Sequence, residues 1–477
     1  MNKAKFLLRG LLGVGILLIL LGGCTSINTQ SELKGFAYGN EQAPKGVEWQ
    51  SPEKLGFNKE QPHAWFFSFE NTENARKVLP EYSKYWQSLD GNWKFNFAKN
   101  PDGRPKDFYK NSYDVSRWDE IPVPSNWNIY GIQKNGDLKY GVPIYVNQKV
   151  IFEHKVAVDD WKKGVMRTPN KDWTTYKYRN EVGSYKRSFT IPENWEKREV
   201  YISFDGVDSF FYLWINGQYV GFSKNSRNTA RFNITDYLQK GENTVSVEVY
   251  RNSDGSFLEA QDMFRLPGIF RTVALYAKPK VNIRDLQVIP NLDANYKNGS
   301  LIVNADIQNA SENPVEKYKL AFSLYKNELY SDESTKVANA EWTIDLPEKI
   351  EKENSIYQKN IVLEVKDPAK WSAEEPNRYV LVAQLKDENN KTVETISTYV
   401  GFRKVEIKDT KAEDDEFGLA GHYYYINGKT VKLKGVNRHE TNPQVGHAIT
   451  REMMKKEIML MKRANINHVR NSHYPDS

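Results

Sequence analysis

The stretch SFFYLWINGQYVGF, residues 209–222, holds two runs of strand-forming residues separated by Asn216 and Gly217. Aromatic and β-branched side chains favour strands, and an Asn-Gly pair between two such runs is a strong signal for a two-residue hairpin. The neighbouring runs REVYISFDGV (198–207) and NTVSVEVYRNS (243–253) also alternate apolar and polar positions. Several short strands at this spacing predict a β-sandwich or jelly roll.

A second all-β region follows the first. Four runs alternate with period two, and each is closed by Asn, Asp or Gly: SLIVNADIQNA (300–310), YKLAFSLYKN (318–327), NIVLEVKD (360–367) and RYVLVAQLKDENN (378–390). The size and the pattern of this region predict an immunoglobulin-like sandwich.

The pattern changes again near the end of the sequence. KTVKLKGVN (429–437) predicts a strand, Thr450 is suited to cap a helix, and INHVRN (466–471) predicts a second strand. Apolar residues recur at helical spacing between the two strands, at Met454, Ile458 and Met461. A strand, a helix and a strand over this length form a βαβ unit, whose two strands must be parallel.

Two histidines follow these two strands. His439 comes after the first strand and His473 after the second. Because ligands of parallel α/β sheets bind beyond the carboxyl ends of the strands, we expect both side chains on the same face and close together. The alternative is that each histidine only caps its strand end with local hydrogen bonds.

Residues 1–24 have the character of an export signal. Lys3, Lys5 and Arg9 precede an apolar run at 10–21, which is too short to span a bilayer. The run ends in Leu-Gly-Gly-Cys, which resembles a bacterial lipobox, so we expect Cys24 to be lipidated and residues 25–47 to form a flexible tether. An uncleaved membrane anchor with an incidental cysteine is the alternative, and either one attaches the protein to a membrane.

Composition excludes some classes of protein. Cys24 is the only cysteine, so no internal disulfide can form. The net charge of +6 falls by three when Lys3, Lys5 and Arg9 are removed, and the remaining basic residues are scattered, which argues against a nucleic-acid partner. The 28 Tyr, 22 Phe and 12 Trp residues suit the faces of sugars, but they equally suit a β-rich core.

Several motifs carry a resemblance to a known family. KGVNRHETNP (434–443) and NHVRNSHYPD (467–476) resemble the first two strand-end motifs of the barrel in family 2 glycoside hydrolases. VPSNW (123–127), PIYVN (143–147) and above all DGSFLEAQDMFRLPGIFR (254–271) resemble the first domain of large bacterial β-galactosidases. The run QDMFR (261–265) favours β-galactosidase, whereas SHYP is shared with β-glucuronidases.

The resemblance implies a mixed β and α/β fold in which two sandwiches precede the first two strands of an incomplete (β/α)8 barrel. The expected segments are a lipoprotein signal peptide (1–24), the tether (25–47), a jelly-roll sugar-binding domain (48–279), an immunoglobulin-like β-sandwich (280–408) and the truncated start of a TIM-barrel catalytic domain (409–477).

The same resemblance implies roles for particular residues. Asn147, Asp262, His439 and His473 would bind a β-galactoside, and Asp262 would also help to hold a sodium ion near the primary hydroxyl of the sugar. Magnesium is expected for the complete enzyme, but its ligands would come from later residues. Without the resemblance, Asp262 is more simply interpreted as a loop aspartate that orients Arg265.

Retaining glycosidases need an acid/base and a nucleophile, and the resemblance places both glutamates beyond Ser477. We therefore expect a β-galactosidase-type fragment that hydrolyses terminal β-D-galactosides with retention in its complete form and is inactive alone. The alternatives are a non-catalytic sugar-binding lipoprotein and a β-glucuronidase or β-mannosidase. We further expect an exported bacterial lipoprotein, at the outer membrane or facing the periplasm, whose complete form is compatible with a homo-oligomer.

Overall fold

A computed structural model describes residues 48–50, 54–146, 180–259, 261–329, 331, 333–352, 354–415 and 417–476. The predicted signal peptide, the predicted tether, Cys24 and Asn147 lie outside these residues.

The first unit is a β-sandwich of two antiparallel sheets. Its strands are β1 (Gly56–Phe57), β2 (Trp86–Ser88), β3 (Gly91–Ala98), β4 (Asp119–Val123), β5 (Ile144–Val146), β6 (Val182–Thr190), β7 (Arg198–Phe204), β8 (Val207–Asp208), β9 (Phe210–Ile215), β10 (Gln218–Lys224), β11 (Ala230–Asn233), β12 (Glu242–Tyr250), β13 (Met263–Arg265), β14 (Gly268–Ile269) and β15 (Val273–Pro279). One sheet has the order β1-β10-β9-β12-β6-β3-β4, and the other has the order β11-β7-β15-β2. Two short ribbons, β13-β5 and β14-β8, lie beside them.

The predicted hairpin at Asn216-Gly217 is confirmed. β9 and β10 pair antiparallel with Ile215 opposite Gln218. Asn216 and Gly217 have φ values of 52° and 78°, the left-handed pair that a tight two-residue turn requires.

Strand β9 is buried on both of its faces. Phe211, Leu213 and Ile215 point into the core between the two sheets. Their neighbours Phe210, Tyr212 and Trp214 pack into a second, aromatic cluster with Tyr109 and Tyr250. Because side chains alternate along a strand, a continuous apolar run fits only a sheet that is covered on both sides. The large aromatic residues of this region therefore form cores, and the side chains of Trp93, Trp127, Trp195 and Trp214 are at most 1% exposed.

Helices of the first unit are short. They comprise α1 (Thr72–Ala75), α2 (Trp127–Tyr130) and α3 (Gly255–Leu258). Single 3₁₀ turns lie at Glu48–Gln50, Pro80–Tyr82, Pro101–Gly103, Glu193–Trp195 and Thr235–Tyr237, with another near the end of the chain at Ala412–Asp414.

The second unit is also a β-sandwich. Its strands are β16 (Val281–Leu292), β17 (Gly299–Asn309), β18 (Val315–Glu316), β19 (Lys319–Asn327), β20 (Ser334–Asp345), β21 (Lys349–Ile350), β22 (Ser355–Val365), β23 (Tyr379–Lys386) and β24 (Thr392–Val400). Sheets β16-β17-β22 and β20-β19-β23-β24 enclose a core of alternating residues such as Leu301, Val303 and Ile307. Phe66 precedes most strands of the first unit in the sequence, yet its side chain packs into this core. It therefore links the first sandwich to the second.

The last unit contains β25 (Val405–Thr410), β26 (Gly421–Ile426), β27 (Lys429–Val431), β28 (Gly435–Arg438), α4 (Arg451–Arg463) and β29 (His468–Asn471). β28 and β29 pair in parallel on either side of α4, as the βαβ prediction requires. Thr450 caps α4, because its side chain accepts a hydrogen bond from the Met453 amide at 3.2 Å.

The prediction of one strand over 429–437 is wrong. This segment divides into β27, which pairs antiparallel with β26, and β28, which pairs in parallel with β29. Residues 432–434 carry the chain from one sheet to the other, a change of partner that an unbroken β-type sequence does not signal. Among the described residues, no helix is long and apolar enough to cross a membrane.

Candidate functional site

The two strand-end histidines lie side by side. The parallel register places Arg438 opposite Asn471, so the loops that follow β28 and β29 begin at the same edge of the sheet. The ring centroids of His439 and His473 are 5.6 Å apart and their planes are perpendicular. Both side chains are half-buried, so they are accessible to a ligand yet partly shielded from water.

Asp262 reaches the same site from the first sandwich. Burial and the neighbouring His473 lower the pKa of His439, while the Asp262 carboxylate acts in the opposite direction. Oδ1 of Asp262 is buried and accepts no hydrogen bond from any described residue. A carboxylate oxygen in this state is available to a hydroxyl group or to a cation.

The simpler interpretation of Asp262, as a residue that orients Arg265, is not supported. The guanidinium of Arg265 donates instead to two backbone carbonyls, those of Glu259 and Gln261, the second at 3.0 Å. Asp262 therefore remains free for another role, whereas Asn147 and Cys24 lie outside the described residues.

The two carboxylates nearest to the histidines in sequence are already paired. Glu440 is 1% exposed and accepts a hydrogen bond from Arg271 at 2.6 Å. Asp476 accepts from Arg438 at 2.7 Å. Because a glycosidase carboxylate must be free to contact the sugar, neither residue is arranged as an acid/base or a nucleophile.

A third histidine, which the sequence analysis did not select, joins the site to the first sandwich. The His447 amide donates to Oδ1 of Asn126 at 2.7 Å, and its ring Nδ1 lies 2.7 Å from the Glu440 carbonyl oxygen. Burial, with a contribution from the charge of Arg227, lowers the pKa of His447 to about 3, so the ring is neutral at pH 7. The other ring nitrogen, Nε2, lies 3.3 Å from the Phe264 carbonyl oxygen. A neutral imidazole donates from one nitrogen only, and the shorter contact assigns that proton to Nδ1.

Asn126 belongs to the segment VPSNW, whose proximity to this site could not be read from spacing. Its side-chain amide donates to the Leu266 carbonyl at 2.6 Å, inside the long motif that also contains Asp262. The adjoining Trp127 is fully buried in the sandwich core. The motifs that resembled the first domain thus contact the strand-end loops directly.

Comparison with protein-family models identifies the chain. Residues 86–279 match the sugar binding domain of the glycosyl hydrolases family 2, residues 281–403 match the family 2 model that follows it, and residues 418–477 match the family's TIM barrel domain.

The chain belongs to glycosyl hydrolase family 2.

Curated relatives of this family 2 chain include bacterial β-galactosidases. It is 42% identical over 434 residues to a β-galactosidase of Priestia megaterium (strain DSM 319 / IMG 1521), which covers 90% of this chain and 38% of the relative. A β-galactosidase of Halalkalibacterium halodurans is 36% identical over 422 residues, covering 88% of this chain and 36% of the relative. The chain therefore spans little more than a third of the length of these relatives.

Solved family 2 structures show the same fold. A Bacteroides uniformis β-glucuronidase superposes with a TM-score of 0.62 at 21% identity, covering 82% of this chain and 40% of that one. A Bacteroides vulgatus β-glycosidase superposes with a TM-score of 0.57 at 23% identity, covering 82% of this chain and 42% of that one. At this identity the comparison establishes architecture and leaves the substrate open.

Proposed function

We propose that this family 2 chain is part of a retaining β-galactosidase. It would supply the sugar-binding sandwich, the immunoglobulin-like sandwich and the first two strands of a (β/α)8 barrel. The observation that carries the proposal is the convergence of Asp262 from the first sandwich with His439 and His473 from two parallel strand ends. The 42% identity to a β-galactosidase over most of the chain supports the choice of reaction.

His439 suits a sugar because of its protonation state. Burial lowers the pKa of His439, which favours the neutral ring at pH 7. A neutral imidazole has one donor and one acceptor nitrogen, so it can bind hydroxyl groups in either role. We assign His439 and His473 to sugar hydroxyls, and Asn147 and Asp262 to other groups of the same sugar.

Asp262 also bears on which sugar is bound. By resemblance it lies near the primary hydroxyl of galactose, where a glucuronide would carry a carboxylate. Even with one sodium ion bound, two carboxylates would leave this partly buried position with a net negative charge, which is unfavourable. We therefore favour a neutral β-galactoside over a β-glucuronide.

Asp262 can supply one ligand to a sodium ion. Its orphaned Oδ1 is a hard oxygen ligand, which sodium and other hard cations prefer. Within the described part of the chain, no three His, Cys, Asp or Glu residues lie together as a metal site. We propose that sodium is held by Asp262 with ligands from outside these residues, and we assign no described residue to magnesium.

The hydrolytic step needs two carboxyl groups about 5–5.5 Å apart. Glu440 and Asp476 are committed to ion pairs, so we place the acid/base and the nucleophile in the part of the relatives that this chain does not span. The sequence encoded after Ser477 tests this directly. A continuing frame with strand–helix repeats and two strand-end glutamates is expected, and a stop codon would favour the sugar-binding lipoprotein.

Export and anchoring are a separate proposal. The basic start, the short apolar run and Cys24 support a lipid anchor, which we place at the outer membrane. A Cys24→Ser variant is expected in the soluble fraction, and its retention in the membrane fraction would show that the lipobox assignment is wrong.

Binding of a non-hydrolysable β-thiogalactoside, followed by calorimetry, tests the sugar site. His439→Ala and His473→Ala should each weaken binding roughly five- to tenfold, the loss of one neutral hydrogen bond. His422→Ala is the matched control, because His422 is exposed on β26 and pairs with Asp409. Equal effects of all three substitutions, or tighter binding of a β-thioglucuronide, would contradict the proposal.

A further inference from the structure

Arg271 of the first sandwich contacts both histidine-bearing loops. Its Nη2 donates to Oε2 of Glu440 at 2.6 Å and to the Pro475 carbonyl oxygen at 2.6 Å. Glu440 directly follows His439, and Pro475 lies two residues after His473. One guanidinium therefore joins the loop after β28 to the loop after β29, while its Nη1 donates to the Arg227 carbonyl at 3.0 Å.

Arg227 adds a second contact between the sandwich and these loops. Its guanidinium carbon lies 4.4 Å from the centroid of the Phe270 ring and 4.1 Å from that of Tyr474, the residue after His473. None of its three guanidinium nitrogens donates a hydrogen bond to a described residue, and the side chain is buried. The guanidinium thus contacts one aromatic ring from each side of the junction, and burial strengthens a cation–π contact of this kind.

The buried side chains of this region lie in the loops that follow the two strands. They include Glu440 after β28, and Ser472 and Tyr474 after β29. Glu440 and Tyr474 contact Arg271 and Arg227, so the first sandwich supplies buried contacts to both loops.

The contact between Arg271 and the two loops is better suited to orienting the loops than to stabilising the fold. A buried ion pair contributes little net stability, because the attraction is offset by the cost of removing two charges from water. A guanidinium, however, presents its donors in a rigid fork and fixes the direction of each partner. A carbonyl and a carboxylate from different loops, both bound to one nitrogen, can occupy only a narrow range of relative positions.

We propose that Arg271 and Arg227 are positioning residues, which set the relative orientation of His439 and His473 from the first sandwich. Neither arginine touches the sugar in this account. The inference rests on the proposed sugar site. It means that the first sandwich orients the histidines of that site in addition to lining it.

The decisive comparison is between Arg271→Met and Arg104→Met in the full chain. Arg104 belongs to the same sandwich and is bonded in a closely similar way, to Glu248 at 3.1 Å and to the Pro101 carbonyl at 2.6 Å. The exposed fractions of the paired side chains are 9% and 1% there, against 6% and 1% for Arg271 and Glu440. Both substitutions remove the arginine partner of a buried glutamate, so both should lower the melting temperature, but only Arg271 contacts the histidine loops.

Two readouts separate positioning from stability. The imidazole resonances of His439 and His473, assigned by His→Gln substitution among the seven histidines, should shift in Arg271→Met and stay unchanged in Arg104→Met. Affinity for the β-thiogalactoside should fall at least tenfold in Arg271→Met and less than twofold in Arg104→Met. Arg271→Lys keeps the charge but loses the fork, so it should shift the resonances and weaken binding by an intermediate factor.

Unchanged histidine resonances in Arg271→Met would overturn the positioning role, as would equal shifts in Arg104→Met. If the unsubstituted chain binds no β-thiogalactoside, the proposed function loses its support. The resonances still decide the positioning role in that case, because they report loop geometry without any ligand. The two failures are therefore distinguishable.

Discussion

Protonation of His447 should weaken the contact between the first sandwich and the strand-end loops. The ring is 1% exposed, and its pKa falls from 6.5 to about 3 on folding because of burial and the nearby charges of Arg227 and Arg271. The unfolded chain therefore binds a proton between these two pH values while the folded chain does not. Stability from this group is fully present above pH 6.5 and is lost progressively as the pH falls towards 3.

The size of the effect follows from the two pKa values. At pH 5, about 1.5 pH units below the pKa of the unfolded imidazole, the unfolded ring is almost fully protonated and the folded ring is neutral. The free energy of unfolding is therefore lower by about 2 kcal/mol than at neutral pH. The equilibrium constant for a local opening that exposes His447 should therefore increase about 30-fold between neutral pH and pH 5.

Hydrogen exchange of peptides from residues 435–476 measures this opening directly, after correction for the intrinsic pH dependence of exchange. His447→Gln is the control, because glutamine can still donate to the Glu440 carbonyl but does not ionise. The wild-type chain should lose protection at pH 5 and the variant should not. The same pH dependence in both proteins would refute the assignment of the effect to His447.

Two further substitutions test the packing that supports the site. Gly183→Ala would place a Cβ 2.7 Å from Trp127 and 2.8 Å from Phe95, both fully buried, so it should cost about 1–3 kcal/mol in urea unfolding of the first sandwich; an unchanged midpoint would contradict that packing. Thr450→Ala removes the cap that accepts from Met453 and should cost about 1 kcal/mol of helix protection, whereas Thr450→Ser should retain it. Equal exchange in the two cap variants would show that the cap does not stabilise α4.

Local signals in the sequence predicted much of the fold. The Asn216-Gly217 turn, the Thr450 cap and the parallel pairing of the last two strands each depend on neighbouring residues or on one short connection, and the structure has all three. The same pairing brings His439 and His473 together, because strand direction alone decides which ends meet.

Contacts between distant residues could not be predicted in this way. Arg271 and Glu440 are 169 positions apart, and nothing in either local sequence identifies the other as its partner. Asn126 and His447 are 321 positions apart and were equally hidden. The change of sheet between β27 and β28 was missed for a related reason, since a strand-forming sequence does not say which neighbour it pairs with.

A structure of the protein with a β-thiogalactoside bound would show whether the two strand-end histidines bind the sugar. We expect sugar hydroxyls within hydrogen-bonding distance of His439 and His473, with the primary hydroxyl on the side of Asp262. A ligand bound elsewhere at saturation, for example on the outer face of the seven-stranded sheet, would contradict it.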